Sequence, residues 1–234
     1  MTEEILINIT PPETRVAIVE NGIIQEIIIE RTRQLGLVGN IYKGVVCRVL
    51  PGMQAAFVEI GLERAAFLHL SDLSSLVLEQ KKSENIEDYL TESQSLIVQV
   101  TKDPLGSKGA RLSTEISIPS RFQVYMPYAH KGGVSQRIEG DGERLRLRKF
   151  QDNFQKEHQT GAFIARTAAE SVDEKILESD MLFLLKLWVS IQEKMEQATP
   201  CSLVHSDLPL SVRTVRDLYN ENIEKIKVDS RKTY

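Results

Sequence analysis

Three rings and four cations fall close together in a stretch of short apolar runs. If Ala55-Ala56-Phe57-Val58 and Ala65-Ala66-Phe67-Leu68-His69 form neighbouring strands, side-chain alternation puts Phe57, Phe67 and His69 on an outer face beside Lys43, Arg64, Lys108 and Arg111. Such a surface suits single-stranded nucleic acid, because bases stack on rings at about 1–3 kcal/mol each while cations follow the phosphates. Alternation alone is equally compatible with both phenylalanines filling a barrel interior.

A second concentration of charge runs from Arg121 to Lys149, where seven basic residues (Arg121, Lys131, Arg137, Arg144, Arg146, Arg148, Lys149) stand against three acids. That excess fits a phosphate-facing surface, although Arg144 to Lys149 also reads as the solvated face of a helix. Carboxylates in metal-holding spacing are missing. Glu139-Gly140-Asp141-Gly142-Glu143 lacks the ligand spacing of a calcium loop, the run Ile5-Leu6-Ile7-Asn8-Ile9 has no acid, and Asp217 and Asp229 are isolated. Cys47 and Cys201 sit in no zinc-binding pattern and are expected as buried small apolar residues rather than ligands or a bridge. Neither a catalytic nor a metal site is expected in this chain.

The elements that must position these residues have three textures. Ile5 to Ile9, Arg15 to Glu20 and Ile23 to Glu30 read as strands, with Pro11-Pro12 breaking the first pair and Asn21-Gly22 supplying a hairpin turn between the second and third. Tyr42 to Leu50, Ala55 to Ile60, Ala65 to Leu70, Ser95 to Lys102 and Ala110 to Ser113 follow as closely spaced strands of a small barrel or sandwich, with the charged stretch Gln80 to Glu92 as a loop. Beyond Ile116, two strands (Phe122 to Met126 and Ala162 to Thr167) mix with helices. The strongest carries Leu177, Met181, Leu184, Leu185, Trp188, Ile191 and Met195 at helical period, behind a possible capping box Ser171-x-x-Glu174. Leu208, Val212, Val215, Leu218 and Tyr219 then make one face of a helix, and Ile223 to Val228 a strand. Three antiparallel strands, a helix and a strand are the opening of a ribonuclease-H-like fold, split here by a long insertion.

With 234 residues, 41% hydrophobic and 26% charged, the chain is long enough for two small domains or one domain with insertions. Its net charge of −4 makes no global case for nucleic acid, so that case rests on the local clusters above. No apolar stretch approaches the ~20 residues that span a bilayer. The start, Met1-Thr2-Glu3-Glu4, carries acids where a secretory signal carries bases, so the expected location is the cytoplasm.

Gly44-Val45-Val46-Cys47-Arg48-Val49, Ala55 to Gly61, Phe67-Leu68-His69-Leu70-Ser71-Asp72 and Lys108-Gly109-Ala110-Arg111-Leu112-Ser113 resemble the successive signatures of the S1 RNA-binding domain, an OB-fold barrel. The wider frame of Asn40-Ile41-Tyr42-Lys43-Gly44, Pro51 to Val58, Lys102 to Leu112 and Arg166-Thr167-Ala168-Ala169-Glu170 is similar to the ribonuclease E/G family. Asp103-Pro104-Leu105-Gly106 and Val228-Asp229-Ser230-Arg231 point to its G branch. The resemblance implies an α+β multidomain fold in which a ribonuclease-H-like subdomain (1–35 plus 203–234) is interrupted by an S1-type OB-fold β-barrel (36–115) and an α/β 5′-sensor subdomain (116–202).

The same resemblance implies RNA-contacting roles for Phe57 and Phe67 with Lys108 as basic neighbour, and a 5′-monophosphate site at Arg166 and Thr167. Arginine can fork two donors onto a terminal phosphate and the threonine hydroxyl adds a third. Val124 matches the position beside the terminal nucleotide, and Gly132 to Gly140 the adjoining loop, where Gln136 then Arg137 replace two successive arginines. Family members carry catalytic aspartates for magnesium and a zinc-sharing cysteine linker that joins subunits further downstream. The expectation is therefore an RNA-binding, 5′-end-sensing portion of an endoribonuclease of ribosomal RNA maturation and messenger decay, inactive by itself, whose parent is a homo-oligomer. A stand-alone RNA-binding regulator or chaperone remains the alternative.

Overall fold

The computed structural model describes residues 2–33, 35–81, 83–220 and 222–231; Met1, Gln34, Lys82, Glu221 and 232–234, which fall within the expected subdomain and loop spans, lie outside the described residues. In chain order the elements begin with β1 (Glu3–Ile9), β2 (Glu13–Glu20) and β3 (Ile23–Arg31). Next come β4 (Ile41–Leu50), β5 (Ala55–Glu59), β6 (Ala66–His69), α1 (Ser75–Lys81), β7 (Ser95–Lys102) and β8 (Arg111–Ser113). After them are β9 (Ile118–Pro119), β10 (Gln123–Met126), β11 (Gly133–Val134), α2 (Asp141–His158), β12 (Ala162–Ala165) and α3 (Glu174–Gln197). The last are β13 (Ser202–His205), α4 (Leu210–Leu218) and β14 (Ile223–Val228). Two compact units result: Met1–Gly36 with Asp207–Tyr234, and Leu37–Ser206. Among the described residues no helix is long and apolar enough to cross a membrane.

In the first unit, β1, β2 and β3 form an antiparallel meander, and β14 joins β1 in parallel to give the order β14-β1-β2-β3. Asn21 and Gly22 both take positive φ (49° and 81°), the geometry a two-residue hairpin needs to match strand twist. Ile5, Ile7 and Val16 bury one sheet face against Leu210 of α4. The helix is tied to β3 through Glu30, which accepts from the Leu210 N–H (3.2 Å) and from Arg213 Nη2 (3.0 Å). The buried face of α4 matches the expected one in part: Val215 and Leu218 pack against the sheet core, but the most buried positions are Leu210, Ser211 and Thr214, while Leu208, Val212 and Tyr219 are exposed. The helix starts at Leu210, so Leu208 is not on it, and the short side chains at 211 and 214 permit close approach to the sheet.

In the second unit, β4-β5-β6-β8-β7 close into a five-stranded barrel through pairing of β4 with β7, and β13 adds to the free edge of β4. The strand Ser202–His205 thus belongs to this unit, past the expected boundary at 203. Inward positions are small or branched, with Val46, Ala56, Val58, Ala66, Leu68, Val98, Val100 and Leu112 forming the core. The expected loop Gln80 to Glu92 is more ordered than its charge suggests. Ile86, Tyr89 and Leu90 form one apolar turn that seals the barrel, and α1 precedes it. Cys47, expected inside, is exposed: it follows the inward Val46 and so alternates to the outer face, where a bulge between Val46 and Arg48 leaves it beside Arg48.

The remainder of the unit is a small sheet, ordered β11-β12-β10-β9, packed with α2 and α3. Leu177, Met181, Leu184, Trp188 and Ile191 of α3 are all buried, as their spacing demands. Its cap is not the expected box. Asp173 accepts from the Lys175 N–H (2.9 Å), whereas Ser171 sits in a left-handed turn (φ 58°) with its N–H donated to Glu143 (2.9 Å).

Closure of β6 on β8 needs a glycine. A Cβ at Gly109 would lie 2.0 Å from the Ala65 carbonyl oxygen, a backbone atom that cannot move without breaking the barrel. Gly109→Ala is expected to cost more than about 2 kcal/mol, read as a lower urea midpoint.

Candidate nucleic-acid interface

Phe57 on β5 and Phe67 on β6 are directly opposite one another. Their neighbours Ala56, Val58, Ala66 and Leu68 all point into the core with no exposure, so alternation sends both rings to the outer surface. There they meet edge to face with centroids 6.2 Å apart, and His69 lies nearly parallel to Phe67 at 6.4 Å. His69 also caps the turn Leu70–Asp72, its Nδ1 accepting the Ser71 N–H (3.1 Å).

The cations around these rings divide into three kinds. Arg111 pairs across the ladder with Phe67 and is held by Asp72 through two bonds of 2.9 and 3.1 Å, which raise its pKa further. Lys108 is exposed at the end of the turn Leu105–Lys108, and Arg64 donates to Gly106 within that turn. Lys43 does not join them. It pairs with Ile97 and Ser202, and its ammonium donates to Met195 O (3.3 Å) at the end of α3. The cross-strand partner of Phe57 is instead Arg48, exposed because of the Cys47 bulge. Plain alternation misses Arg48, and only the one-residue register shift reveals it.

A second constellation surrounds Arg166. β10 and β11 flank β12, so Val124, Ile164 and Gly133 form one row on the more open face, while Gln123, Ala165 and Val134 form the buried row. Just past the strand ends, Ser135 Oγ and Thr167 Oγ1 meet at 3.1 Å. The Arg166 guanidinium donates to Ser120 O (2.6 Å). Asp180 of α3 approaches from below, accepting from Ser120 Oγ; burial raises its pKa, opposed by that bond, by the backbone N–H groups of Phe122 and Gln123, and by the Arg166 charge. Gln136 and Arg137 are exposed on the adjoining loop.

That loop is clamped by Arg144, whose Nη1 donates to Ser135 O (2.7 Å) and Ile138 O (3.1 Å). Arg146 is likewise committed, to Glu143 (2.8 Å) and Val172 O (3.1 Å). Arg121 lies over its neighbour Phe122 at 4.9 Å. Of the basic residues on α2, Arg148 and Lys149 face solvent while Arg144 and Arg146 hold the fold together. Charge counting in sequence cannot separate these two uses.

Among the described residues no three His, Cys, Asp or Glu side chains gather to hold a metal ion. Asp229 is engaged by the Ile9 N–H (2.9 Å) and by Asn8, and Asp217 by Arg216 (2.9 Å). These residues do not fit a magnesium or zinc site.

The family model described as "Ribonuclease E/G family" matches residues 117–234, and that of the S1 RNA binding domain matches 37–115. Ribonuclease G of Escherichia coli (strain K12) is 49% identical over 241 residues, covering 100% of this chain and 49% of the relative. Ribonuclease G of Haemophilus influenzae is 48% identical, covering 97% and 48%. Ribonuclease E of Escherichia coli (strain K12) is 35% identical, covering 98% and 22%. The chain spans about half the length of the ribonuclease G relatives it matches.

Glu143 supports the turn that follows Thr167, and two partners, Arg146 first and the Ser171 N–H second, hold its pKa down at about 2 against an ordinary 4.5. The carboxylate therefore contributes stability above pH 4.5 and loses it as pH falls toward 2. Glu143→Gln is expected to cost about 1 kcal/mol at neutral pH, solvent screening included, and to flatten the acid limb of stability measured by thermal unfolding.

Proposed function

The chain belongs to the ribonuclease E/G family, and from that premise we propose that it is the RNA-binding and 5′-monophosphate-sensing portion of an endoribonuclease acting on single-stranded RNA. The carrying observation is the Phe57–Phe67 pair on the outside of the barrel, flanked across the ladder by Arg48 and Arg111. Two rings on a rigid sheet present stacking platforms without ordering cost, and the cations track the backbone in any sequence context.

End recognition is assigned to Arg166 and Thr167. Anchored on Ser120 O, the guanidinium is held in one orientation; its neighbour Thr167 meets Ser135 of the adjoining loop, and Val124 on the more open sheet face is the apolar residue assigned to the terminal nucleotide. A phosphate monoester satisfies several donors at once, whereas a terminal hydroxyl offers one weak acceptor. Gln136 contributes a hydrogen bond without charge, leaving Arg137 as the loop's cation. Hydrolysis in such an enzyme draws on carboxylate-held magnesium; this chain's own residues grip the strand and read its end. We place the parent enzyme in the cytoplasm, in ribosomal RNA maturation and messenger decay.

Phe57→Ala with Phe67→Ala is expected to weaken single-stranded RNA binding by about 1–3 kcal/mol per ring; a folded double mutant with unchanged affinity in fluorescence anisotropy would refute the barrel reading. The chain is expected to prefer a 5′-monophosphorylated oligonucleotide over its 5′-hydroxyl twin. That preference should vanish in Arg166→Ala and fall in Arg166→Lys, which keeps the charge and loses the fork. Equal affinity of the unmutated protein for both oligonucleotides rules out a working sensor.

A further inference from the structure

A cavity of about 610 Å³ opens beside His69, between the turn Pro51–Met53, the turn Leu70–Asp72, and α1 with the segment that follows it. Met53, Leu70, Leu78 and Tyr89 provide apolar walls. Met53 is 60% exposed at the rim, a large apolar side chain left mostly in water. The polar groups of the walls are largely spent on the fold: the Tyr89 hydroxyl donates to Ser83 O (2.9 Å), and Gln54 Oε1 accepts the Ile86 N–H (2.8 Å).

Chemistry narrows the occupant. Glu84, one of the described lining residues, is an anion that accepts hydrogen bonds and repels a phosphate. Because Nδ1 of His69 accepts the Ser71 N–H, the proton of the neutral ring sits on Nε2, making that atom a hydrogen-bond donor. An apolar cavity with one ring donor and a carboxylate acceptor matches a flat heteroaromatic group with a polar edge. His69 is shared: it lines the cavity and stacks on Phe67, so the cavity continues the row Phe57–Phe67–His69.

We propose that this cavity is a further base subsite, in which an unpaired nucleobase of single-stranded RNA lies against Met53 and Leu78 next to the bases stacked on the phenylalanines. The proposal rests on the RNA-binding reading and deepens it. The thioether of Met53 is a soft, polarizable surface for a ring, and its flexibility suits any of the four bases.

The test is an abasic scan of a short 5′-hydroxyl oligoribonucleotide, which leaves the end-sensing site unengaged, read by fluorescence anisotropy. Removing the base at one position beyond those that answer to Phe57 and Phe67 should weaken binding about tenfold. In Met53→Trp, which fills the cavity from an exposed rim position, that position should become indifferent to base removal while the ring-dependent positions respond as before. A wild-type profile confined to the ring-dependent positions overturns the subsite and spares the RNA-binding reading. So does a Met53→Trp profile identical to wild type. Failure of the unmodified oligonucleotide to bind overturns both.

Discussion

One bent strand, β4, carries the architecture of the larger unit. Its first half pairs with β7 and β13 and its second half with β5, so it must turn sharply to serve neighbours on several sides. The extra residue at Cys47 provides that turn. Once the strand has turned, interior volume is scarce, and alanine at 56 and 66 with valine at 58 fills it. Phe57 and Phe67 alternate with these inward residues and are displayed on the outer face, and Arg48, paired with Phe57 through the bulge, joins them at the surface.

This dependence explains which features were legible in the sequence. The hairpin at Asn21-Gly22, β7, β14 and the long α3 carry local signals that nothing distant overrides. The features that differ share a cause outside their own segment. Arg48 faces solvent because of a register shift against β5, and Lys43 leaves the rings because its partners are β7 and β13. Ser171 loses its capping role because Glu143, on another helix, takes its N–H. The turn at Ile86–Asp88 hides behind a charged stretch because three apolar residues suffice to seal a barrel end.

The region around Arg166 shows electrostatics divided between structure and display. Arg144 and Arg146 are consumed in closing backbone carbonyls and a carboxylate, which immobilises the loop and turn on either side of Thr167. Asp180 sits beneath as a half-buried acid whose desolvation is offset by backbone donors and by Arg166. A guanidinium fixed from below by a carbonyl and facing an acid retains little conformational freedom.

The pairing of β13 with the start of β4 also bears on how such a chain could arise. His205 stands opposite Ile41, so the polypeptide enters and leaves the 37–206 unit on antiparallel neighbours, about 5 Å apart. A host strand-and-helix scaffold receiving such a cassette at a surface loop needs to tolerate a gap no wider than an ordinary hairpin. The acquisition of a whole nucleic-acid-gripping module then demands no redesign of the recipient, only a permissive joint.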